Sequence, residues 1–252
     1  MHNKQLIIFF IFLAIYALIA LVSYVFFFEQ LTQGVTMPTN GPNIPHWVLG
    51  LANAGIILIG YGLLGLAGYW FARKLSLPGI FSEDGNWTRW FVTPLIIGIA
   101  LGIFLAAVDQ LVVASGMGVH FPHPAFPFSI LASASAGIGE EILTRSFVLG
   151  LWAWLLNFLF KRWDKTKVAL WIANVIAALV FGASHLFTAA LLFGAKDPSA
   201  LPPIVIAELF LLNGVVGLVA GERYMKEGLV AAMGVHFWTD IVWHVIWPLL
   251  LA

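Results

Sequence analysis

The sequence predicts an all-α fold, a polytopic bundle of about seven membrane-spanning helices with the N-terminus cytoplasmic. Three observations predict it. Of the 252 residues, 61% are apolar and only 10% are charged, against roughly 25% charged in an ordinary soluble domain. The apolar residues gather in runs of about 20, the length that crosses ~30 Å of hydrocarbon at 1.5 Å per residue. The basic residues fall almost entirely on one side of the spans so defined.

The first run, at about 5–28, is too long for the apolar region of a signal peptide and is followed by Glu29-Gln30 with no small-residue cleavage pattern. It reads as a retained helix. The runs that follow cover about 46–72, 90–114, 129–160, 168–193, 204–221 and 229–251. Turn chemistry marks the breaks: Pro38-Thr39-Asn40-Gly41-Pro42, Ser82-Glu83-Asp84-Gly85-Asn86, and Lys196-Asp197-Pro198 with Pro202-Pro203. The fourth span is over-long, and the Pro-rich stretch Phe121-Pro122-His123-Pro124-Ala125-Phe126-Pro127 before it suggests an interfacial lead-in. Small residues at Gly217 and Gly221, and the series Gly60, Gly62, Gly65 and Gly68, indicate close helix contacts. No soluble insert interrupts the runs, so residues 1–252 read as a single integral membrane domain.

Orientation follows from Lys4, Arg73, Lys74, Arg89, Lys161, Arg162, Lys165, Lys167, Arg223 and Lys226, all on one side, against Lys196 alone on the other; Arg145 lies inside a span. The positive-inside rule places the N-terminus in the cytoplasm and the C-terminus outside it, in a multi-pass protein of the cell membrane. Twelve basic residues balance twelve acidic ones, so nucleic acid is excluded as a partner and membrane lipid is the expected surroundings. The chain has no cysteine. Thiolate metal sites and cysteine nucleophiles are therefore unavailable.

Charges within hydrocarbon cost ~2.5 to 3.5 kcal/mol each on the insertion scale, so in-span polar residues point to function. The fourth span carries Glu140, Glu141 and Arg145, the fifth Ser184 and His185, and the seventh His236, Asp240 and His244. Adjacent helical residues point about 100° apart, so the two glutamates have different roles. Glu141 and Arg145 stand at i,i+4 with the acid first, the favoured order for a structural ion pair. Glu140 is left unpaired in its own helix, and a carboxylate in apolar surroundings suits general acid or base work near neutral pH. His236 and Asp240 are also i,i+4 and share one helix face. One acid, two histidines and a second acid on three spans suit water activation, with or without a divalent metal such as Zn²⁺ held by Glu140, His185, His236 and Asp240.

Other polar residues read as less central. Asp109, Glu208 and Asn213 fall near uncertain span edges, as interfacial or packing groups. His120 and His123 read as surface residues of the Pro-rich stretch, and His244 as a supporting group farther along the seventh helix. Ser184 lacks the following glycine that a serine-nucleophile turn would use.

Together the three clusters resemble the CPBP (CAAX protease and bacteriocin-processing, or Abi) family of intramembrane endopeptidases, whose motifs run EExxxR, FxxxH and HxxxN/D. Glu140-Glu141…Arg145, Phe181…His185 and His236…Asp240 fit them in order. Asn213-Gly214-Val215-Val216-Gly217…Gly221…Tyr224…Gly228-Leu229 resembles the Gly-rich helix and turn before the last motif. The resemblance covers about residues 129–245, the expected catalytic core. It implies hydrolysis of membrane-associated peptides or proteins, with Glu140 as water-activating base, His185 and His236 as further site residues, and Asp240 where many members carry Asn. The sequence departs from the common EExxFRG form at Thr144 and Ser146, which bears on substrate class. Two other functions fit intramembrane acids and histidines: an ion-coupled transporter, against which no paired inverted halves are found, and a non-catalytic immunity or scaffolding protein.

Overall fold

A computed structural model describes residues 2–32, 44–118, 120–160 and 165–251. Among these every regular element is helical. Seven helices are long and apolar enough to cross a membrane: α1 Asn3–Phe26, α2 His46–Lys74, α3 Thr88–Ala114, α4 Phe128–Phe160, α5 Thr166–Leu192, α6 Pro203–Glu227 and α7 Leu229–Leu251. The turn expected at 38–42, and the basic residues Lys161 and Arg162, lie outside the described residues.

The sixth span runs past the expected 204–221, because the charges that ended the apolar run satisfy one another on the helix surface. Glu222 meets both Arg223 and Lys226 at 2.5 Å. The remaining turns carry the expected chemistry. Gly85 N–H closes on Ser82 O at 3.1 Å, Asn86 Oδ1 accepts from Arg89 N–H at 3.1 Å ahead of α3, and Asp197 Oδ1 accepts from Ser199 N–H at 2.9 Å.

The α6–α7 hairpin turns at Gly228, whose φ of 93° lies where a side chain is disfavoured. A Cβ there would sit 2.8 Å from the Phe81 backbone. That close approach lets the first N–H groups of α7, from Leu229 and Val230, reach Gly79 O and Ile80 O at 2.9 Å each. Orphan donors at a helix start are thereby paired.

Helix α7 is the centre of the bundle, with 67% of its apolar window buried against 22–44% for the other six. Close packing in lipid depends on small residues, since lipid tails are as apolar as the side chains they would replace. Helix α3 meets α7 at Gly98 and Gly102, where an added Cβ would fall 2.7 Å from Val235 O and 2.8 Å from Thr239 O. Helix α6 meets α5 at Gly217 and Gly221, against Ala178 and Asn174. Asn174 donates to Leu218 O at 3.0 Å across the same contact.

Four of the spanning helices contain π-helical turns, at Ile57–Tyr61, Thr88–Val92, Ile142–Leu149 and Ile241–Ile246, and the last two directly follow the acidic residues Glu140-Glu141 and Asp240. Such wide turns inside α-helices occur frequently at functional sites. A further irregularity interrupts α5 at His185, between Thr166–Ser184 and Leu186–Leu192.

An odd number of spans, as found among the described residues, predicts that the two ends lie on opposite faces of the membrane. Reporter fusions at the N- and C-terminus are expected to report opposite sides, with the N-terminus cytoplasmic as the Lys/Arg distribution predicts. A same-side result would remove or add a span.

Candidate active site

Glu140 projects from the middle of α4 into a cavity of about 240 Å³ that His185, His236, Asp240 and His244 also line. Its Oε2 lies 3.7 Å from His185 Nε2 and 4.0 Å from His236 Nε2. Asp240 Oδ2 is 3.5 Å from the same His236 nitrogen. The four residues expected to share a site are thus brought together from three helices. Apart from these groups the wall is mostly apolar, with Leu105, Ala132, Ala136, Leu209, Leu212 and Trp243 among its residues.

The two imidazoles are held alike. His185 Nδ1 lies 2.8 Å from Phe181 O, and His236 Nδ1 lies 2.9 Å from Glu141 Oε1. A carbonyl oxygen, or an ionised carboxylate, only accepts, so each Nδ1 carries a hydrogen and each Nε2 is turned to the cavity. This local scaffold fixes both rings before substrate arrives.

Glu141 and Arg145 form the expected pair, Oε2 to Nε at 3.2 Å, with neither side chain exposed at all. Glu141 does more than neutralise Arg145. Its other oxygen holds His236, so the adjacent glutamate supports the site from behind while Glu140 faces it. Arg145 also lies over the Phe181 ring at 4.5 Å, and that ring meets His185 and His236 edge-on with centroids 4.9 and 5.3 Å away. Phe181 therefore joins the ion pair to both histidines, a role that its place in a motif did not reveal.

The two loop histidines expected at the surface are placed otherwise. His123 is partly buried against the Trp243 ring, and its Nδ1 lies 3.0 Å from His244 Nδ1. Burial pushes the His123 imidazole down to about 4, so it is neutral at physiological pH. His120 pairs with the fully buried Asp109. The Pro-rich stretch folds back on the bundle because Phe121, Pro122 and Pro124 complete the cavity wall. Asn213, expected to pack, also reaches that wall while its Nδ2 donates to Leu209 O at 2.9 Å. Ser184 donates to Phe181 O at 2.7 Å at the helix break and is not among the residues that line the cavity.

A zinc ion held by N and O donors at ~2.0 to 2.1 Å would want tetrahedral neighbours about 3.3 Å apart. The three separations above are all wider. Among the described residues no three His, Asp and Glu side chains form a group that could hold a metal ion. As placed the donors do not fit a metal.

Residues 121–242, just under half of the chain, match the family model for Rce1-like type II CAAX prenyl endopeptidases. The match agrees with the CPBP resemblance of the three motifs. The matched stretch contains the three motifs and all four residues around the cavity, and the family supports intramembrane endopeptidase activity in general. No curated protein and no solved structure matches the chain.

Proposed function

We propose that the chain is an intramembrane endopeptidase that hydrolyses membrane-associated peptides or proteins with a water activated by Glu140. The observation that carries this reading is the buried Oε2 of Glu140, which has no hydrogen-bond partner and faces two imidazole nitrogens at 3.7 and 4.0 Å. Polar atoms at such distances leave their hydrogen-bonding capacity to a bridging water.

In this reading Glu140 takes a proton from the water as its oxygen attacks the scissile carbonyl. Negative charge develops on that carbonyl oxygen, and His185 and His236, whose Nδ1 hydrogens are already committed, donate to it from Nε2 in their imidazolium forms. Glu140 then returns the proton to the departing amine, so one water is added across the peptide bond and no proton is lost. Arg145 takes no part; it pairs with Glu141, and Glu141 keeps His236 in place. The prenylated proteins named by the family description are the corresponding substrate proposal, the mainly apolar cavity wall being the feature of this chain that agrees with it. A divalent metal such as Zn²⁺ remains the alternative that the donor types alone suggest.

The test is cleavage of a membrane-associated peptide by the purified chain in detergent, beside ion flux in proteoliposomes. Hydrolysis without flux is expected. Flux without hydrolysis would establish the transporter reading, and a folded chain inactive in both would establish a scaffolding role.

A further inference from the structure

Asp109 belongs to α3, takes no part in the catalytic cluster, and is completely buried. A buried carboxylate is costly unless its lone pairs are used. The partners of Asp109 come chiefly from the segment that leads into α4: His120 Nδ1 pairs with Oδ2, and the Phe121 N–H donates to Oδ1 at 3.2 Å. The Trp247 indole N–H lies 3.4 Å away on α7. Glu208, 4% exposed and with an unpartnered Oε1, stands within electrostatic reach of both Asp109 and His120.

The same segment lines the catalytic cavity. Phe121, Pro122 and Pro124 face it, and His123 meets Trp243 and His244 on α7. His244 is eight residues beyond His236, about 12 Å along the helix, so the segment closes the end of the cavity away from Glu140. Pro122 and Pro124 have no N–H with which to anchor it. The Phe121 N–H is given to Asp109.

We propose that Asp109 is a positioning residue that latches residues 120–124 across the far wall of the cavity, where Phe121, Pro122 and Pro124 set the size of substrate side chain admitted beside the scissile bond. The latch is a property of the folded chain, and its effect on selection rests on the endopeptidase reading.

Because the sequence has no cysteine, a single Ala136→Cys substitution gives a reporter inside the cavity, and Ser115→Cys gives an exposed control. A small methanethiosulfonate reagent is then timed against folded protein in detergent. Asp109→Ala is expected to speed modification of the cavity cysteine about tenfold or more, from loss of charge-assisted hydrogen bonds, and leave the control rate unchanged. Asp109→Asn should fall between, since it keeps an acceptor for Phe121 N–H. If the Asp109 variants fail to fold, His120→Ala leaves α3 intact and should also speed modification. With peptides, Asp109→Ala should improve KM for bulky over small side chains and change kcat little.

Unchanged modification in every folded variant overturns the latch, whatever the peptides do. Faster modification with unaltered discrimination between side chains overturns the selection role alone. Faster modification in a chain whose parent cleaves nothing keeps the latch and removes the endopeptidase reading.

Discussion

Glutamine at position 141 is expected to destabilise the fold by about 3–5 kcal/mol, while glutamine at position 140 leaves stability nearly unchanged and lowers peptide cleavage by about 10² to 10⁴-fold. The contrast arises from where two adjacent carboxylates point. Glu141 and Arg145 are both wholly buried and 3.2 Å apart, so Glu141→Gln strands a guanidinium in a region with no solvent to receive it. Glu140 has 37% of its side chain exposed to the cavity, and its neutral isostere removes a costly charge without uncovering another. In Glu141→Gln the new amide oxygen still accepts from His236 Nδ1, so activity should fall through weakened positioning more than through loss of chemistry. Unfolding in detergent and peptide cleavage, measured on both variants, check this; equal behaviour in both assays removes the division of roles.

The Glu141–Arg145 pair was legible in the sequence because i,i+4 spacing of acid and base is a property of a single helix. The seven spans were legible for a similar reason, since hydropathy is summed along the chain. Contacts between helices were not. The bond from Glu141 to His236 joins residues 95 positions apart, and nothing in either motif distinguishes an acid that only neutralises an arginine from one that also orients a histidine. His123 was misread for a related reason. A Pro-rich stretch between spans has the composition of a surface loop, and its inward fold depends on Asp109, which sits on another helix and near an uncertain span edge. Helix α6 outran its apolar run because salt bridges among Glu222, Arg223 and Lys226 continue a helix where hydropathy stops.

Asparagine at position 240 is expected to retain peptide cleavage or raise it, up to the order of 10² that one added oxyanion donor can contribute. Asp240 Oδ2 lies 3.5 Å from His236 Nε2, on the cavity side of that ring. If Glu140 is the base, the group needed at this place is one that donates to the oxygen of the scissile carbonyl as it becomes negative. An ionised aspartate has no hydrogen to give and repels that charge, whereas an asparagine of nearly the same shape donates two. The other chemistry makes the opposite demand. A carboxylate beside His236 would then bind a metal or steady the imidazole that does, and its amide would weaken metal binding and cleavage together. The wide donor separations and the lack, among the described residues, of a three-donor group favour the first course. Bound metal and cleavage are measured side by side for parent and Asp240→Asn, before and after chelation. Cleavage that survives in a metal-free Asn variant supports Glu140 acting on water directly. A metal bound at one per chain in the parent, lost along with activity in the variant, would overturn it and give His185, His236 and Asp240 to the ion.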